Sequence, residues 1–350
     1  MNRAMLEARL KDTAAAFSQE GYFPSLSLSV FTKDDILIRH TLGEARADSL
    51  FDIASLTKIA TATMVLGLVE QGILALDTPL AAADPVLFQT GALGEALGGI
   101  TIFQLLTHTA TLPAWYPVYT QPDFPAALQQ ALSMDRPQGV NYSDLNFMIL
   151  ARVLKARGRT DQSGSPLGPM LCQPLGITGM YDALPPALMD KAIPSGYGNP
   201  QEEAMCARMG LAFTGFRPHS AIKGEVHDGN AHYAFYRQFA GHAGIFSDMD
   251  SLVTLTQHHL ATDSTLFITA TEEQAEGRGL GWQVGEMYPM GCGHTGFTGT
   301  SIYLSRQLDI GCVLLTNRCY YQNQDHKLTN PFRTRVHHLV ADYAQAQQRA

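Results

Sequence analysis

An α/β (α+β) fold is what this 350-residue sequence predicts, with one sheet assembled from both ends of the chain and a mainly helical part inserted between. Period-two alternation of apolar residues is confined to the two ends, whereas residues 52 to about 240 are helical segments parted by Pro- and Gly-bearing loops. The stretch FDIASLTKIATATMVLGLVEQG, residues 51 to 72, is apolar on every side and predicts a helix lying inside the protein. The expected division is 1–51 with 241–350 for the sheet domain and 52–240 for the helical one, with the SLTK helix at their interface.

Taken in order, MNRAMLEARLKDTAAAF places Glu7, Arg9, Lys11 and Asp12 where an export signal needs unbroken apolar sequence, so it predicts an amphipathic helix and a cytoplasmic protein. SLSLSVF (25–31) and ILIRHTLG (36–43) alternate on either side of TKDD, which is a hairpin pattern. Asp52 suits the N-cap of the buried helix and Gly72 its stop. That run is too short and too rich in Thr and Ser to span a bilayer, which takes roughly 20 predominantly apolar residues. TIFQLLTHTATLP (101–113) and LNFMILARVLKARG (145–158) are helical segments. GLGWQVGE (279–286), SIYLS (301–305) and IGCVLLTN (310–317) return to strand character, and PFRTRVHHLVADYAQAQ closes with a helix.

Composition narrows the function. Apolar residues make up 45% and charged residues 16%, a globular balance, and the net charge of −8 offers no basic footprint for nucleic acid or an anionic membrane. Cys172, Cys206, Cys292, Cys312 and Cys319 are odd in number and form no CxxC pair, which reads as reduced thiols.

The chemistry lies in the buried helix. Ser55 and Lys58 stand three apart, on one helix face, with Cβ atoms about 5–6 Å from each other. A serine hydroxyl needs a neighbouring base to become a nucleophile, and burial pushes a lysine towards the neutral form that can act as one. With Asp52 as N-cap, Ser55 also falls in the first turn, where the helix dipole favours developing negative charge. The spacing alone is weak, since on the order of one Ser-x-x-Lys match arises by chance in a chain this long. Ser220–Lys223, SAIK, is a second match, but it is stopped at once by Gly224 and has no buried helix. A small residue at a helix start, with a lysine reaching the surface, would leave the same trace at Ser55 and Lys58.

Two further stretches change the weighting: NYSDLNFMIL (141–150), with Tyr142 and Asp144 at a loop-to-helix junction, and GHTGFTGTSIYLS (293–305), with His294, Thr295 and Gly296 before a strand. With SLTK they follow the order Ser-x-x-Lys, Tyr-x-Asn, Lys/His-Thr/Ser-Gly, and the chain resembles the class C β-lactamase and penicillin-binding-protein superfamily of serine hydrolases. FDIASLTK, LDTPL (76–80), ITIFQLLTHTATLP (100–113) and GHAGIFSDMDSL (241–252) extend the resemblance over nearly the whole chain. It implies the β-lactamase/transpeptidase-like fold, an antiparallel sheet flanked by helices with an inserted all-helical domain. It implies Ser55 as nucleophile, Lys58 as base or proton relay, and Tyr142 as the group that shares and returns the proton. The backbone N–H groups of Ser55 and Phe297 would form the oxyanion hole, and Asp144, His294, Thr295 and Gly296 would meet substrate.

The chain departs from that pattern twice. Asp144 stands where the family has asparagine; a carboxylate only accepts hydrogen bonds, and it should hold Lys58 charged, which favours Tyr142 as base and disfavours β-lactam turnover. His294 in place of lysine should weaken the hold on a substrate carboxylate above the histidine pKa. Other residues carry less. His227, Asp228 and His232 in GEVHDGNAHYAFY (224–236) match no metal motif, and serine chemistry needs neither metal nor cofactor. That stretch, with Trp115, Tyr116 and Tyr119, is expected at the site rim, while His258, His259, His337 and His338 read as surface or core histidines on helices. The expected activity is hydrolysis of a small ester or amide, with a D-amino-acid peptide next and β-lactams as slow substrates or inhibitors. An acyltransferase, or a catalytically silent penicillin-binding sensor, are the alternatives. Oligomeric state is left open.

Overall fold

The computed structural model describes residues 1–235, 237–320 and 328–349. Helix α1 (Arg3–Gln19) leads into the hairpin β1 (Leu26–Phe31) and β2 (Ile36–Leu42). After the buried helix α2 (Thr57–Glu70) come α3 (Ile102–Leu106), α4 (Phe124–Leu132), α5 (Asp144–Arg157) and α6 (Met249–Ala261). The chain then returns through β3 (Gln283–Val284), β4 (Cys292–Thr295), β5 (Ser301–Ser305) and β6 (Ile310–Thr316) to helix α7 (Asn330–Gln348). The sheet order is β2-β1-β6-β5-β4-β3, antiparallel throughout, so strands from the two ends meet where Leu26 faces Thr316.

Both faces of this sheet are covered, and strand alternation decides which residue meets which layer. Leu28, Val30, Tyr303 and Cys312 pack with Leu6, Leu10, Phe332 and Val336 of α1 and α7. Ile302, Leu304, Val313 and Leu315 pack on the other side with Ile59 and Val65 of α2 and Leu252 and Leu255 of α6. The serines of SLSLSVF are therefore buried too, their small side chains letting α6 lie against β1. The part between is mainly helical but carries short strands: Phe51–Asp52 and Met180–Tyr181 flank Phe246–Ser247, and Gly196–Tyr197 pairs with Ala221–Ile222.

The segment 51–72 differs from the single helix expected of it. Asp52 ends a strand, a 3₁₀ turn spans Ala54–Leu56, and the α-helix begins at Thr57. The Asp52 carboxylate accepts from the backbone N–H groups of Ala54 (2.8 Å) and His227 (2.7 Å), so it joins two loops instead of capping the helix. The stop is as expected, with Gly72 left-handed at φ 68°. Among the described residues no helix is long and apolar enough to cross a membrane.

Candidate active site

Ser55 owes its position to the tight turn before α2. Ala54 takes a left-handed φ of 46°, a costly state for a residue with a Cβ, and it lifts the half-buried Ser55 to the mouth of a cavity while Ile53 and Leu56 stay in the core. Two threonines past β4 pin this turn: Thr298 Oγ1 donates to the carbonyl of Asp52 (2.8 Å) and Thr300 Oγ1 to that of Ile53 (3.0 Å).

Lys58 is wholly buried one turn on. Its Nζ donates to Ser55 Oγ (3.1 Å), Asp144 Oδ1 (2.8 Å) and the His242 carbonyl (2.9 Å), three acceptors for the three protons of an ammonium. Burial alone would strip a proton from it, but the Asp144 carboxylate outweighs that, with help from Tyr142, and holds Lys58 above the ordinary lysine range. The expectation of a lysine pushed towards neutrality by burial is thus overturned, in the direction that the Asp144 departure pointed. Behind it, the buried His242 forms an ion pair at 2.8 Å with Asp228, which also faces the cavity, and the imidazolium holds Asp228 low in the carboxylate range.

Tyr142 and Asp144 reach the cavity from the N-terminus of α5. The Lys58 ammonium lies 4.9 Å from the Tyr142 ring centroid, and the Arg278 guanidinium 5.1 Å from it. On the far side, Thr295 ends β4 and is followed by Gly296 and the exposed Phe297. The motif thus lies on a strand and its end, with β3 outside it as the sheet edge, where a position just before a strand was expected.

His294 does not act as a substitute cation. It is buried, and that burial, with Lys58 and Arg278 nearby, keeps its pKa well below the usual histidine range. Its Nδ1 lies 2.8 Å from the Thr295 carbonyl, which can only accept, so the ring carries its proton there and leaves Nε2 as an acceptor. The downward direction of its pKa runs against the pH-dependent role expected of it. Positive charge at the cavity comes from Arg318 and Arg333, both lining it, with the Arg318 guanidinium 4.5 Å from the Phe297 ring centroid.

Ser55, Tyr142, Asp144, Thr295, Gly296 and Phe297 thus line one cavity of about 540 Å³, with Lys58 and His294 buried beside it. Of the expected rim, Trp115, His227 and Asp228 line it; Tyr116 is core, and Tyr119 donates to Glu202 (3.0 Å) in its wall. His232 packs on Tyr233, and Tyr236 lies outside the described residues. No group of three or more metal-ligating side chains occurs among the described residues. Ser220 and Lys223 are exposed at a two-residue strand, away from the cavity. His259 and His337 are core, and all five cysteines are free thiols. Sequence reasoning missed His242, Arg278, Arg318 and Arg333. GHAG carried a trace of the first, but nothing local marks the three arginines, which come to the site only through the sheet and α7.

Comparison with known proteins agrees with this fold. A family profile described as Beta-lactamase matches residues 10–334. An N-acetylmuramyl-L-alanine amidase of Bacillus subtilis (strain 168) is 28% identical over 317 residues, 77% of this chain and 68% of that protein. Esterase EstB of Burkholderia gladioli is 28% identical over 378 residues, 91% of this chain and 89% of that one. The crystal structure of a beta-lactamase/D-alanine carboxypeptidase from Pseudomonas syringae superposes with a TM-score of 0.72 at 17% identity, covering 97% of this chain and 99% of the other.

Proposed function

Since the chain belongs to the beta-lactamase family, a family with hydrolases among its members, we propose that it is a serine hydrolase acting on small esters or amides through an acyl-enzyme on Ser55. The observation that carries this reading is the triple anchoring of the Lys58 ammonium on Ser55, Asp144 and the His242 carbonyl. A lysine that donates to the serine oxygen has no lone pair for the serine's proton. Tyr142, whose ring lies against the Lys58 ammonium, therefore takes that proton. Ser55 Oγ attacks the acyl carbon, and the backbone N–H groups of Ser55 and Phe297 receive the oxyanion. Tyr142 then protonates the leaving group, later takes a proton from the water that attacks the acyl-enzyme, and passes it to Ser55 Oγ as the serine is released.

Asp144 and His294 bear on the substrate. Asp144 accepts but cannot donate to an acyl-amide carbonyl, and a neutral His294 offers no charge to a carboxylate, which favours esters and simple amides. D-amino-acid peptides come next, with Arg318 and Arg333 as the cations available to their carboxylate, and β-lactams react slowly. The test is intact mass of wild type and Ser55→Ala after incubation with a fluorophosphonate and, separately, a penicillin. Phosphonylation of wild type alone is expected; no adduct with either reagent would sink the hydrolase reading.

A further inference from the structure

We propose that His108 is a positioning residue for the reaction, locking Tyr142 in place through an unprotonated Nδ1. The inference rests on the reading of Tyr142 as base. His108 follows α3 in a left-handed conformation, φ 58°, and is 2% exposed. Its carbonyl accepts from the N–H of Asn141 (2.9 Å), and its ring Nδ1 accepts from the N–H of Ser143 (3.1 Å). The two chain neighbours of Tyr142 are thus tied to one residue, by its main chain on one side and its ring on the other. Asn146 Nδ2 lies 3.0 Å from the same Nδ1, which extends the tie into the first turn of α5.

The proton inventory of the ring follows from its partners. A backbone N–H can only donate, so Nδ1 is bare, Asn146 donates to it as well, and the ring proton sits on Nε2. Protonating Nδ1 would set donor against donor at Ser143 and release the loop. Burial prevents this, aided by the charges of Arg278 and Lys58, which with the neutral His294 and Tyr142 are the titratable groups that face the ring, and its pKa is pushed well below the usual histidine range. The ring also packs 4.7 Å from that of Tyr142 and 5.3 Å from that of Phe147, so it sets the phenol's tilt as well as its anchorage. A histidine that only filled the core would alter stability and leave the chemistry of each folded molecule unchanged.

The left-handed backbone makes the test selective. Asparagine tolerates that conformation and places an acceptor near the Nδ1 position; glycine tolerates it with no acceptor; glutamine sends its polar group past Nδ1. The measurements are kcat and KM on a p-nitrophenyl ester and the rate of fluorophosphonate labelling of Ser55, with thermal melts for each variant. His108→Asn should stay within about 3-fold of wild type, while His108→Gly and His108→Gln should lose about 10- to 100-fold in kcat and in labelling rate at unchanged KM. Should the glycine variant fail to fold, the asparagine–glutamine contrast decides. Equal rates for those two, or wild-type rates in a folded glycine variant, would overturn the proposal. Tyr142→Phe separates this from failure of the underlying reading: if it labels at the wild-type rate, the phenol is not the base and the role of His108 falls with it.

Discussion

A wholly buried lysine paired with a carboxylate is an expensive arrangement, because the ammonium leaves water entirely and the carboxylate in large part, and the attraction between them returns only part of the cost. Apolar residues of similar size would fill the same space at less cost, so the pair is better understood through the charge it holds beside Ser55 and Tyr142. Asp144→Asn tests this. Without the carboxylate, burial dominates at Lys58 and its pKa falls. If the reaction needs an ammonium there, the alkaline limb of kcat/KM moves to lower pH by about one unit or more. An unmoved limb in a pH–rate profile would mean that the proton on Lys58 is not used. The asparagine-to-aspartate departure was legible as a single letter of NYSD; its partner, 86 residues away, was legible only through the resemblance.

Among the elements, the close approach of the β4 end to the serine turn is what builds the cavity. Gly296 permits it: a Cβ there would stand 2.1 Å from Thr300 Oγ1 and 2.7 Å from the carbonyl oxygen of Ile53, two residues from Ser55. The threonine can rotate, but the backbone of a turn already strained at Ala54 has little room to move. Gly296→Ala is expected to lower kcat on a p-nitrophenyl ester by about 100-fold, since displacements near 1 Å cost on that order, and to lower the melting temperature as the Ile53 carbonyl is pushed aside. Wild-type kcat in that variant would show that the spacing is not critical. HTG was readable as a motif, but its place on a strand end was not, because four residues of β4 hold too few alternations to register.

For the whole molecule, covering the sheet on both faces buries histidines that a thinner protein would leave wet. His259 is enclosed between α6, Trp282 and Thr63, whose Oγ1 lies 2.9 Å from its Nε2, and burial pushes its pKa down to about 3. Its folded value lies below the unfolded one of about 6.5, so the stability it supports is intact above pH 6.5 and is lost as pH falls from there towards 3. Between pH 6.5 and 5.5 the loss is about 1 kcal/mol from this one residue. Urea denaturation at those two pH values should therefore show wild type losing about 1 kcal/mol more than His259→Gln, which keeps an amide within reach of Thr63. Equal losses would mean that the ring titrates alike in the folded and unfolded chains. The pairing of α6 with the sheet was not visible in SLSLSVF, because alternation alone does not say whether its serines meet water or a second layer.

The sequence by itself determined what depends on local period and short spacing: the hairpin, β5, β6 and α7, the buried helix, and the neighbourhood of Ser55 and Lys58. Order along the chain, compared with a known pattern, added Tyr142, Asp144 and the HTG segment. The charge on Lys58 was foreshadowed by Asp144, but only the tertiary structure decided the rest of the site's electrostatics, with His294 and His108 pushed towards the neutral form and three arginines gathered round them. The physical reason is that a charge state is set by burial and by the nearest opposite charge, and both are properties of distance in space that separation along the chain does not encode.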